Sequence, residues 1–183
     1  MVDGAVAAML RNGDTAMIRL YVAACSERMA PLFIGLRAGT AGREADVDFY
    51  VESVRDLWFA DQSLTDAADR MRLLERFPEL EPNEEGITDV ADTYAFFAVL
   101  TLRYAFVANS TGDAGAAMSC GHASLTAMGM LDQNVMGTGF LDQEQHLQAL
   151  SVSNDVGTLW DMSVAAGQER FRAVLSRTTR RTY

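Results

Sequence analysis

The stretch Tyr94–Ala108, YAFFAVLTLRYAFVA, decides the fold. Its apolar residues run all round a helical wheel rather than along one stripe, and Arg103 is its one charge. A helix apolar on every side must be buried, either in a core or in a membrane. Spanning a bilayer takes about 20 such residues, so this shorter, Arg-containing run reads as the central helix of a soluble bundle. Thr88 or Asp89 can cap its start, and Asn109–Gly112 supply the turn that ends it.

Working outward, the same helical period recurs on both sides. Asp14 caps a segment whose stripe is Met17, Leu20, Tyr21, Ala24 and Cys25, and Pro31 is expected to kink or end it. Val47, Tyr50, Val51, Val54, Leu57 and Trp58 form the apolar face of a second helix that is otherwise acidic. Ser63 caps a third, with Asp66 in the reciprocal capping-box position, and it should stop before Pro78. After the central helix come a small-residue helix capped by Asp113, a shorter one in FLDQEQHLQAL, and a long terminal one capped by Ser153 or Asn154. No alternating β-branched run or Asn-Gly hairpin signal occurs. The expected fold is therefore all-α, one domain over residues 1–183, with six or seven helices and an acidic loop near 78–87 between two helical halves. About eighty residues a side is too little for two independent cores.

The chain has 183 residues, 15 arginines, no lysine and 25 acidic residues, for a formal net charge of -10. All-arginine usage matches the codon bias of a GC-rich bacterium. The acidic surface repels nucleic acid and anionic membranes and favours a basic protein partner. Arg170, Arg172, Arg177, Arg180 and Arg181 crowd the C-terminus, where cations complement a helix dipole and stay solvated. The N-terminal MVDGAVAAMLRNG lacks the basic region of a signal peptide, so a cytoplasmic location with reduced Cys25 and Cys120 is expected.

Chemical motifs are few. Cys120 and His122, one residue apart, point about 200 degrees away from each other on a helix and cannot form a dyad. Gly115, Cys120, Gly121 and Ser124 instead read as a close helix-helix contact, with His122 turned outward. Two cysteines, two histidines and no Glu-x-x-His motif give no metal or cofactor site. Glu27 and Arg28 interrupt an apolar stretch, and Arg28 lies on the buried stripe, so its guanidinium needs a carboxylate from elsewhere. Glu27, Arg28, Arg103 and His122, with Tyr94, are the candidates for a buried polar or small-molecule site. Glu79, Glu81, Glu84 and Glu85 are the candidate acidic docking patch, with Glu44, Asp46 and Asp48 a second acidic group.

Tyr21–Phe33, YVAACSERMAPLF, with its Ala-Cys-x-Glu-Arg core and following proline, resembles the opening helix of an all-helical bacterial family, domain of unknown function 416. Beyond those residues the similarity is one of helix order, and GHASLTAMGM departs from it. The resemblance implies a compact helical bundle and carries over no catalytic residue. Small acidic helical proteins also resemble bacterial immunity proteins by class. Three readings follow: a protein-protein interaction module, immunity-like or regulatory, binding a basic partner; an enzyme or small-molecule binder; and a self-associating structural module.

Overall fold

The computed structural model describes residues 1–59, 64, 66–81, 89–153 and 155–179. Among them are eight α-helices and no strand: α1 (Gly4–Asn12), α2 (Thr15–Arg37), α3 (Glu44–Phe59), α4 (Ala67–Leu74), α5 (Val90–Thr111), α6 (Ala114–Asn134), α7 (Phe140–Leu150) and α8 (Val156–Thr179). A single 3-10 turn, Pro78–Leu80, follows α4. The all-α bundle is as the periodicity requires, but α1 adds a helix beyond the expected six or seven. Its signal is local: Asp3 accepts from the Ala5 amide as N-cap, and Val6, Ala7 and Leu10 make a buried stripe.

Capping aspartates set the other starts. The side chains of Asp14, Asp89 and Asp113 accept from the amides of Met17, of Ala91 and Asp92, and of Gly115 and Ala116. At α8 the cap is Asp155, which accepts from the Thr158 amide, rather than Ser153; Asn154 lies outside the described residues. Ser63 lies outside them too, and Asp66 occupies the N-cap position of α4 without a side-chain capping bond.

The Tyr94–Ala108 helix is a core helix, with Tyr94, Ala95, Ala98, Val99, Leu102, Ala105 and Phe106 buried. By length and composition α5 could also cross a membrane, a test that the core helix of a soluble bundle passes equally. It shares the centre with α2, which packs against α3, α5, α6 and α8. Residues Tyr21 to Ser26 of α2 are all fully buried, so its contact surface is far wider than one stripe. Pro31 does not end α2, which continues to Arg37. A proline inside a helix forfeits one backbone bond and crowds the preceding turn. Here its ring seats against Gly167 of α8, where a Cβ would come within 2.9 Å of Pro31 Cγ.

Buried side chains from α1 to α8 merge into one core cluster. One end is aromatic: Phe33 stacks on Tyr50 at 4.5 Å and on Phe77 at 5.6 Å, and Tyr50 Oη donates to the Ala98 carbonyl. The other end, where α2, α6, α7 and α8 meet, is polar.

Candidate functional site

That polar end is built on three ionised side chains from three helices. Arg28 of α2, Glu144 of α7 and Arg170 of α8 each have 0% side-chain exposure. Arg28 grips the carboxylate with both sides of its fork, Nε to Oε2 at 2.9 Å and Nη2 to Oε1 at 3.0 Å. Its remaining donors reach Ser151 Oγ at 3.4 Å, Ser163 Oγ at 3.3 Å and Cys25 Sγ at 3.3 Å. Gln148 Nε2 donates to Glu144 Oε1 at 2.9 Å and to the Gly121 carbonyl at 3.0 Å, while its Oε1 accepts from Tyr21 Oη at 2.9 Å. Arg28 is thus fully partnered, as a buried guanidinium must be.

Arg170 is held less well. Its Nη1 stands 2.8 Å from Glu144 Oε2, an ion-pair distance, yet makes no aligned hydrogen bond. Its Nε and Nη2 both converge on one neutral atom, Gln143 Oε1, at 3.3 and 3.2 Å. Charge-assisted bonds run nearer 2.7–2.9 Å, so these are long. Two buried positive charges therefore face one negative charge.

The electrostatics follow. Burial raises the Glu144 carboxyl, but the two arginines outweigh it and hold the group down to about 2. Burial would lower Arg28, and the charge of Glu144 more than offsets it, leaving Arg28 above its ordinary value. For Arg170 the same offset falls short, and burial leaves it below its ordinary value. Burial likewise pushes up the Tyr21 hydroxyl and the Cys120 thiol beside the cluster.

Local sequence explains the placement. On α7 the buried face is Phe140, Glu144, Leu147 and Gln148, spaced i, i+4, i+7 and i+8. Two of those four stripe positions are polar. On α8, Leu159, Ser163, Ala166, Arg170 and Val174 are buried at the same spacing. Gly121 makes room on α6: a Cβ there would lie 2.1 Å from Tyr21 Oη and 3.1 Å from Gln148 Oε1.

The five residues grouped as a small-molecule pocket do not converge. Glu27 accepts from Trp58 Nε1 at 3.1 Å near the Trp58–Trp160 edge contact, and burial raises its carboxyl. Arg28 points into the interior cluster instead. Arg103 reaches Glu75 at 3.8 Å on the α4 side. His122 Nδ1 accepts from the Val2 amide at 3.3 Å, so it is partly covered rather than fully outward. Tyr94 meets Asn134 at 3.5 Å in a recess of about 90 Å³. The contact seam on α6 keeps Cys120, Gly121 and Ser124, all buried, but Gly115 is exposed in the capping turn.

The acidic patch also needs correction. Glu79, with 2% side-chain exposure, accepts from Arg37 Nε and Arg43 Nη2, each at 2.7 Å. It is an anchor for the 3-10 turn and offers nothing to a partner. Glu81 is exposed, and Glu84 and Glu85 lie outside the described residues. Of the C-terminal arginines, Arg170 is buried, Arg172 is exposed, and Arg180 and Arg181 lie outside the described residues.

Sequence reasoning missed Glu144, Gln148 and Arg170. Each occupies the phase of an apolar stripe, which is the signal that could have found them. An open groove of about 370 Å³ between α4 and α5 is lined by Leu64, Ala67, Ala68, Met71, Val107, Ser110 and Thr111, with no titratable group. No cluster of three or more His, Cys, Asp or Glu able to hold a metal occurs among the described residues. Comparison of the chain with protein-family models, with curated proteins and with solved structures returns no match in any of the three.

Proposed function

We propose that this protein is a protein-interaction module, immunity-like or regulatory, that receives a basic partner on the outer face of α3. The observation that carries the reading is an exposed ridge of Glu44, Asp48 and Glu52, spaced i, i+4, i+8, with no ion pair among the described residues. Other acidic residues nearby, Asp46, Asp56, Asp66 and Asp69, all face arginines. Like charges at i, i+4 cost a helix about 0.2–0.5 kcal/mol per pair, a cost that a basic partner would relieve. Val51 sits between the acids at 45% exposure and adds an apolar contact to the ridge. Complementary charge also speeds encounter, as a binder of this kind requires. A cytoplasmic location and membership of the domain of unknown function 416 family belong to the same proposal, the latter resting on Tyr21–Phe33.

The catalytic reading loses support because its residues point into different surroundings. The test is titration with a fluorescent oligo-arginine peptide. The triple variant Glu44→Gln, Asp48→Asn, Glu52→Gln should bind roughly tenfold more weakly, three exposed pairs being worth about 0.2–1 kcal/mol each. Binding by the unaltered chain should vanish at about 1 M salt, where the Debye length is about 3 Å. A control triple, Glu81→Gln, Asp142→Asn, Asp161→Asn, changes net charge equally. If it weakens binding as much, the α3 assignment is wrong and only net charge is at work.

A further inference from the structure

We propose that Arg170 is the anchor of a binding site for a small monovalent carboxylate at the α7/α8 seam, closed in this structure by Gln143. Three observations carry it. The interior cluster holds one positive charge more than it can neutralise, so one added negative charge would balance it. The uncompensated donors are those of Arg170, since Arg28 spends its fork on Glu144. The Nε/Nη2 edge of a guanidinium matches the two oxygens of a carboxylate. On Arg170 that edge is occupied by a single amide oxygen, Gln143 Oε1, at 3.3 and 3.2 Å.

The same side chain is the route in. Gln143 is partly exposed, and its Nε2 is tied at 2.9 Å to Oε2 of Glu169, which is exposed. Turning Gln143 outward uncovers the guanidinium edge and vacates the volume of an amide, close to that of formate or acetate. A divalent anion would overshoot the excess charge, so the site selects a monovalent carboxylate over phosphate at pH 8, where phosphate is mostly the dianion. Glu169 at the mouth repels any anion, and it sets how readily the site opens.

The experiment is thermal unfolding at pH 8 in sodium acetate, formate, phosphate or chloride at matched ionic strength, with the unaltered chain and five variants. Gln143→Ala, which removes the plug, should unfold about 4 °C higher in acetate than in chloride once acetate is about tenfold above its Kd. The unaltered chain should show a smaller rise, and Glu169→Gln a larger one than the unaltered chain. Arg170→Met, made alone or with Gln143→Ala, should show no acetate-specific rise. The proposal is overturned if both Gln143→Ala and Glu169→Gln respond no more than the unaltered chain, or if the rise persists without Arg170. A rise in phosphate that is equal to the acetate rise and is likewise lost with Arg170→Met overturns the carboxylate assignment, since phosphate also stabilises proteins without binding a site. The α3 triple variant should keep the full acetate response, so failure of the partner-binding reading and failure of this one are distinguishable.

Discussion

The molecule contains the same ionic motif twice, in two surroundings. In each, a glutamate lies between two arginines: Arg28–Glu144–Arg170 inside the bundle, and Arg37–Glu79–Arg43 at its rim. The rim arginines are 12% and 13% exposed and have further acids, Asp92 and Asp46, on their outer sides. Arg43 also lies 5.8 Å from the ring centroids of Phe33 and Phe77. The rim triad is therefore over-neutralised and wet, and it works as a clasp joining the Pro78–Leu80 turn to α2 and α3. Among the described residues no second acid pairs with the interior arginines, and all three side chains of the interior triad have 0% exposure. Both rim arginines hydrogen-bond Glu79 at 2.7 Å, whereas inside only Arg28 makes aligned hydrogen bonds to Glu144; the count of counter-charges and the dielectric separate the two further.

The largest effect that would sharpen this contrast is removal of each glutamate. Glu144→Ala leaves two guanidiniums buried without a counter-charge and should cost about 3–5 kcal/mol in urea unfolding. Glu79→Ala strips charged hydrogen bonds from a rim that water can re-solvate, and about 1–3 kcal/mol is expected. Equal losses would break the comparison.

Acid unfolding separates the two more finely. The Glu144 carboxyl is held down to about 2 against an ordinary 4.5, so it is depressed in the folded state. Its contribution is fully present above pH 4.5 and is lost as pH falls from there towards 2. The contribution is on the order of 3 kcal/mol. Glu79 is depressed as well, so its contribution has the same sign and disappears on the acid side too. Urea unfolding of Glu144→Gln between pH 6 and pH 3 should show a flatter loss than the unaltered chain, with Glu79→Gln intermediate. A slope in Glu144→Gln as steep as in the unaltered chain would remove the interior triad as the acid-sensitive element.

The smallest effect calibrates the scale. Asp69 and Arg72 form an exposed pair at 2.8 Å, with side chains 74% and 73% exposed. Asp69→Asn should shift stability by less than about 0.5 kcal/mol, and a larger loss would show that surface pairs here outweigh their usual worth.

How much was legible beforehand depends on the reach of each interaction. The caps at Asp14, Asp89 and Asp113 act within three residues, so the sequence displays them directly. The need for a partner at Arg28 was legible too, because its stripe position forbids a bare charge. The identity of that partner was not, since Glu144 lies 116 residues away with no local mark of the pairing. Arg170 was grouped with its arginine neighbours by composition, although its phase on α8 puts it on the same buried stripe as Leu159, Ser163 and Val174. Pro31 reads locally as a kink or an end, yet α2 runs through it to Arg37, and its ring packs where Gly167 of another helix has no Cβ.

By itself, then, the amino-acid sequence determined the all-α class, most helix starts and the place of Tyr94–Ala108 in the core, although Phe96, Phe97, Leu100, Arg103, Tyr104 and Val107 are only partly buried. Those follow from period and capping, which act over one to four residues. Only the tertiary structure decided that α2 shares the centre and that Glu79 is a clasp instead of a docking charge. It alone set two arginines against one carboxylate in the interior. Those depend on which side chains meet across helices, and charge compensation in a low-dielectric core is a property of the assembled neighbourhood and of no single segment.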